Sequence, residues 1–201
     1  MPCIRVWLNA RLRSTFSIRA SGFSCSPPED ASLTRNITNQ ESVMQKISPF
    51  LWFDDQAEEA ANFYVSIFRN SWIRSVSRYG DGGPSLPGTA MSVTFTLDGL
   101  EFQALNGGPQ FTFSEATSFF VSAVTQDEID HLWDHLTSGG GDPGQCGWLK
   151  DRYGLSWQIV PPILGELLGD PDPDRSGRVM QAMMGMGKID IAELLAAHDG
   201  P

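Results

Sequence analysis

Residues 90–97 alternate with period two: Met91, Val93, Phe95 and Leu97 are separated by Ala90, Ser92, Thr94 and Thr96. That alternation predicts a half-buried strand. Asp98-Gly99 follows as a two-residue hairpin turn, and residues 100–105 form the returning strand. Upstream, residues 47–53 read as a short apolar strand and 71–79 as another, ending in a loop dense in Gly and Pro over 80–88. Between those two strands the period changes to helical. Ala57, Ala60, Ala61, Tyr64 and Phe68 mark a buried stripe, and Asp55 stands three residues before Glu58 in the manner of a capping box. The first half therefore runs strand, helix, strand, strand, strand.

The second half begins the same way. Residues 118–124 read as a strand, and Thr125 with Glu128 caps a helix whose stripe is Ile129, Leu132, Trp133 and Leu136. Gly139-Gly140-Gly141 ends it. Residues 145–161, QCGWLKDRYGLSWQIVP, hold two apolar runs joined by the turn-rich 150–154, which predicts a hairpin. In its second arm Leu155, Trp157 and Ile159 point one way and Ser156, Gln158 and Val160 the other. A glutamine in the middle of an apolar strand needs a reason. The element order suggests a degenerate repeat, visible in pattern and not in residue identity. Past Pro161 the chain turns helical over 163–168, 176–186 and 190–198, with a Pro/Asp turn at 170–174 and Asp190 and Glu193 as a further capping box. These helices are expected to cover a sheet edge or a partner subunit.

Composition narrows the class. The chain has 201 residues, 41% hydrophobic and 19% charged, with a net charge of −10. Length and composition fit one soluble domain with an appendage. No apolar run is long enough to cross a bilayer. Residues 1–43 carry five arginines against three acids, a net of +2, so the remainder carries −12. An acidic domain repels phosphate backbones, which argues against nucleic acid. Residues 1–43 show no sustained period. They resemble an organellar transit peptide in being rich in Arg and Ser, and the favoured reading is an extension with Met44 as the natural start. Of three cysteines, Cys3, Cys25 and Cys146, only the last lies beyond this segment, so a disulfide framework is excluded there and a cytoplasmic location is expected.

Few residues offer chemistry. His131 and His135 have the spacing of a helical metal pair, but both lie opposite the stripe of their own helix and read as surface groups. Cys146 has no histidine or basic cluster near it in sequence to lower its pKa, and Met180, Met183, Met184 and Met186 read as packing. The glycines at 80–83 and 139–141 lack the spacing of a nucleotide site. There remain Asn106-Gly107-Gly108, Trp52, Trp148, Trp157 and Gln158. Their alternative reading is a strand-end turn among core aromatics.

Four strings, FLWFDDQAEEAANFYVSIF at 50–68, LNGGPQFTFSEATSFFVS at 105–122, the hairpin at 145–161 and RVMQAMMGMGKIDIAEL at 178–194, resemble the PhnB-like branch of the vicinal oxygen chelate superfamily. The resemblance covers 44–197 and leaves residues 1–43 outside the domain assigned to 44–201. It implies an α+β fold of paired βαβββ modules curling into a cup-shaped mixed sheet, with C-terminal helices from about residue 162 and a homodimer completing the cup. Superfamily enzymes hold a divalent metal at four strand positions, which fall here near Pro49, Asn106, Ser118 and Gln158. None is His, Glu or Asp, so a metal is disfavoured and no cofactor is expected. The resemblance then implies a small-molecule-binding protein with Trp52, Asn106, Ser118, Trp148 and Gln158 as the ligand-binding residues. The alternatives are a glyoxalase- or dioxygenase-type metalloenzyme, and the demethylubiquinone methyltransferase that the branch is often labelled as. The third lacks support in the residues, since no strand–glycine–helix unit for a nucleotide cofactor is present.

Overall fold

The structure, a computed structural model, describes residues 45–200. The reading of 1–43 as an extension or leader lies outside them. Two modules follow one another. The first is β1 (Phe50–Phe53), α1 (Ala57–Ile67), β2 (Trp72–Arg78), β3 (Ala90–Leu97) and β4 (Leu100–Asn106). The second is β5 (Ser118–Ser122), α2 (Gln126–Leu136), β6 (Asp142–Pro143), β7 (Trp148–Lys150) and β8 (Ser156–Val160). Three helices close the chain: α3 (Pro162–Leu168), α4 (Pro173–Gly185) and α5 (Ile191–Asp199).

Each module forms a four-stranded sheet, with order β1-β4-β3-β2 in the first and β5-β8-β7-β6 in the second. The first strand of each runs parallel to the last, and the other pairs are antiparallel. The predicted repeat is therefore a repeat of topology. β6 escaped the sequence reading because two residues carry no period. The turn linking β7 to β8 holds Gly154 at φ +84°, where a side chain would be strained.

α2 buries the stripe its periodicity marks; in α1 Ala57, Ala60, Ala61 and Tyr64 are buried, while Phe68 falls just past the helix end and is half-buried. The two modules share one core. Tyr64 of α1 and Trp157 of β8 lie 5.5 Å apart between ring centres, Phe68 stacks on Trp157 at 5.2 Å, and Phe102 of β4 meets Phe119 of β5 edge-on at 5.0 Å. Trp157 is 2% exposed. Burying a ring of this size removes roughly 150–250 Å² from water, on the order of 4–6 kcal/mol before entropy is counted.

Two helix starts differ from the sequence reading. Asp55 does not cap α1; Gln56 occupies that position without a side-chain bond. The cap comes from across the sheet, where Asn106 Oδ1 accepts from Ala57 N–H at 2.7 Å. Glu58, the other half of the expected box, instead pairs with Arg78 at 2.7 Å. The predicted Pro/Asp turn at 170–174 is in part the first turn of α4: Asp172 accepts from Asp174 N–H and Pro173 opens the helix. At α2 the expected cap holds, with Thr125 Oγ1 accepting from Glu128 N–H at 3.2 Å. Asp190 caps α5 through Glu193 N–H in the same way. The C-terminal helices fasten to the second module. Cys146 and Gly147 donate to Met186 and Gly187 carbonyls, and Gln126 bridges Ile189 and Ile191. Among the described residues no helix is long and apolar enough to cross a membrane.

Candidate functional site

Each sheet has a face turned to the helices and a face turned away. On β8 the core takes Leu155, Trp157 and Ile159, leaving Ser156, Gln158 and Val160 on the other face. Pairing fixes their neighbours. Phe120 and Trp148 lie directly across from Gln158, while Ser118 and Lys150 lie across from Ser156. Gln158 Nε2 donates to Ser118 Oγ at 2.8 Å, a diagonal bond on one face. Lys150 is ion-paired with Glu115, which holds the carboxyl below its usual range and the ammonium above its own. Ser156 is 1% exposed, and its hydroxyl oxygen is the one buried side-chain polar atom without a hydrogen-bond partner among the described residues.

Three of the five expected ligand-binding residues, Ser118, Trp148 and Gln158, thus share a face. The other two belong to the first module and are engaged otherwise. Asn106 lies on the helix side of β4, accepting from Ala57 N–H and donating through Nδ2 to the Ala90 carbonyl at 3.0 Å. Trp52 is on the face turned away from α1, where its Nε1 donates to Gly108 O at 2.8 Å and its ring meets Phe111 at 5.0 Å. Gly107 lies against that ring, and a Cβ there would fall inside it. Asn106 thus sets the start of α1, and the Gly107-Gly108 turn seats Trp52.

Strand parity finds a residue the sequence reading passed over. Phe102 and Ala104 face the core, so Gln103 faces away, directly across from Phe50 on the parallel neighbour. Gln158 stands in the same relation to Phe120. The repeat thus sets one Phe–Gln pair on the face of each sheet turned away from α1 or α2. Alternation along 100–105 carried that signal; the nearby Asn-Gly-Gly drew attention from it.

A divalent metal at these positions would meet the amides of Gln103 and Gln158 and the Ser118 hydroxyl. Hard cations take carboxylates and borderline ones imidazoles, so this donor set does not fit. Among the described residues no group of three or more His, Cys, Asp or Glu is arranged for a metal. His131 and His135 are exposed, as read from sequence, and His131 Nε2 lies 3.1 Å from the Ile67 carbonyl.

One buried carboxylate holds the hairpin instead. Asp151 is 3% exposed and accepts from Tyr64 Oη at 2.7 Å, Trp157 Nε1 at 2.9 Å, and the Tyr153 and Leu155 amides at 2.9 and 3.0 Å. Burial pushes its carboxyl up, against the pull of the four donors, and burial together with the neighbouring Asp151 pushes the Tyr64 phenol well up. All its acceptor sites face donors, so the group ties α1 to β8.

Two hollows lie away from the glutamines. One of ≈ 870 Å³ runs beside the start of α1, between the 82–87 loop and Glu58, Arg78 and Asn106. Those three side chains already bond to protein groups. The other, of ≈ 630 Å³, lies where the modules meet, floored by Phe68, Phe102, Phe119 and Trp157.

Two mixed sheets of this strand order, each closed by a helix crossing between parallel strands, define a PhnB-like vicinal oxygen chelate fold. The chain belongs to the family described as 3-demethylubiquinone-9 3-methyltransferase, whose model matches residues 45–160. It is similar to a putative 3-demethylubiquinone-9 3-methyltransferase, PhnB protein, from Bacillus cereus, at 41% identity and a TM-score of 0.55, covering 58% of this chain and 99% of that one. A protein from Pseudomonas aeruginosa matches at 18% identity and a TM-score of 0.49, covering 58% and 97%. The fosfomycin resistance protein FosX from Listeria monocytogenes, in a complex with Mn(II), matches at 15% identity and 0.44, covering 62% and 98%. No curated protein matches the chain.

Proposed function

We propose that this protein binds a small molecule on the face of its second sheet turned away from α2, without a metal. Ser118 and Gln158 orient the ligand there and Trp148 offers it a ring. The observation that carries this reading is the half-buried Ser118–Gln158 pair, bonded at 2.8 Å on a face that also carries Trp148. A homodimer supplies the opposite wall. Phe50, 57% exposed on the corresponding face of the first sheet, favours that arrangement, since an aromatic ring beside an amide makes a natural ligand wall.

Metal analysis of protein purified from cells tests the first part. A stoichiometric divalent ion, removed by chelation with loss of ligand binding, would sink it. Gln158→Ala is expected to abolish binding while lowering the unfolding free energy by only about 0.5–1.5 kcal/mol, the worth of its bond to Ser118. Sedimentation equilibrium tests the dimer, and a monomer at micromolar concentration would count against it.

The family description names a methyl transfer. The link between β1 and α1 is Asp54-Asp55-Gln56, without the glycines that let a nucleotide cofactor approach a strand–helix turn. The activity in the description is therefore not carried over to this chain. Methylation of a demethylubiquinone analogue by the purified protein with S-adenosylmethionine would reverse that judgement.

A further inference from the structure

Resting on that binding reading, we propose that the ligand is an uncharged planar molecule presenting an N–H beside a C=O, as in an amide, lactam or imide. The reasoning starts from the bond between Gln158 and Ser118. A carboxamide has two N–H donors and two oxygen lone pairs; a hydroxyl has one donor and two lone pairs. With Gln158 Nε2 donating to Ser118 Oγ, the amide oxygen is left to accept and the serine hydroxyl is left to donate. With the amide turned over, Ser118 donates to Oε1, and the pair then offers an amide N–H and a serine lone pair. Either way two donors and three acceptor sites remain on the pair, so the two side chains can present a donor and an acceptor next to each other. A ligand edge with an acceptor beside a donor engages both side chains at once.

Charge points the same way. Strands β5, β7 and β8 place Ser118, Phe120, Trp148, Lys150, Ser156 and Gln158 on this face, and Lys150 is ion-paired with Glu115. An anion brought against Gln158 would lose hydration and would have to compete with Glu115 for the ammonium; a cation would have to compete with that ammonium for Glu115 and for Asp142, which lies across from Lys150. Neither is compensated by neutral amides and hydroxyls. Trp148, directly across from Gln158, supplies a flat apolar surface, which favours a planar ligand.

The test uses the full chain, labelled with nitrogen-15, and three probes of one shape: 2-quinolinone, its N-methyl derivative, and quinoline-2-carboxylate. The Gln158 side-chain amide and the Trp148 indole signals report binding, assigned with Gln158→Ala and Trp148→Phe. We expect 2-quinolinone to shift both signals and N-methylation to weaken it at least about tenfold, since a site built around hydrogen bonds rejects a ligand lacking one. The carboxylate should bind more weakly still. Ser118→Ala and Gln158→Glu should each weaken 2-quinolinone about tenfold with an unchanged circular dichroism spectrum. If the carboxylate or the N-methyl compound binds at Gln158 as tightly as the lactam, the ligand class is wrong and the site stands. If no probe moves either signal at millimolar concentration, the site falls with it.

Discussion

The two modules share strand order and the placement of a Phe–Gln pair, yet they are fixed by different polar devices. In the first, the side chain of Asn106 reaches from the end of β4 to cap α1 and tie the start of β3. In the second, α2 is capped by its own Thr125, and the polar anchor is Asp151 in the β7–β8 turn, which reaches back to Tyr64 of the first module. Topology repeats because the hydrophobic pattern repeats. Polar anchors are free to differ, since each needs only to satisfy the donors its own module leaves open.

The largest expected effect separates those anchors. Asp151→Ala strips a partner from four donors and leaves a void where the modules meet, so a loss of about 3–5 kcal/mol is expected in urea unfolding. A loss under about 1 kcal/mol would mean that Asp151 does not join the halves. Gly107→Ala drives a methyl into the Trp52 ring and should cost about 1–3 kcal/mol, with a changed Trp emission spectrum. Asn106→Ala should cost about 1–2 kcal/mol and speed hydrogen exchange at Ala57 while leaving α2 untouched. If α2 amides lost protection equally, the modules would not be capped independently.

The smallest effect is one of pH. Burial raises the Asp151 carboxyl above its ordinary 3.8. Held more tightly in the folded state, that proton contributes stability that is full below the ordinary value and fades as pH rises through the raised one. Glu58 behaves oppositely: its hydrogen bond to Arg78 lowers the carboxyl, so its contribution is present above the ordinary 4.5 and is lost as pH falls through the lowered value. Unfolding of the parent, Asp151→Asn and Glu58→Gln across pH 3–7 should give difference curves of opposite slope. Equal slopes would show that burial does not dominate at Asp151.

The helices and most of the strands were legible in the sequence because their signals are local. The α2 stripe and its Thr125 cap lie within one segment, and the alternation of β8 alone places Gln158 away from the core. β6 is too short to carry a period, and the true start of α1 could not be read because its cap lies 49 residues away. The same distance hid what Asn106 does, and its Asn-Gly-Gly context made it look like a ligand group while the plainer Gln103 went unremarked.

By itself, then, the sequence determined the order of the helices and the longer strands, the stripes the helices would bury, and the family. Only the tertiary structure decided which polar groups meet. Asn106 turned inward to a helix end, Asp151 reached across 87 residues to Tyr64, and Ser156 was left without a partner among the described residues, beside a bonded Ser118–Gln158 pair. Burial follows from a periodicity that the chain carries locally. A hydrogen bond needs a donor and an acceptor within about 3 Å of each other, and for residues distant in sequence only the folded chain sets that distance.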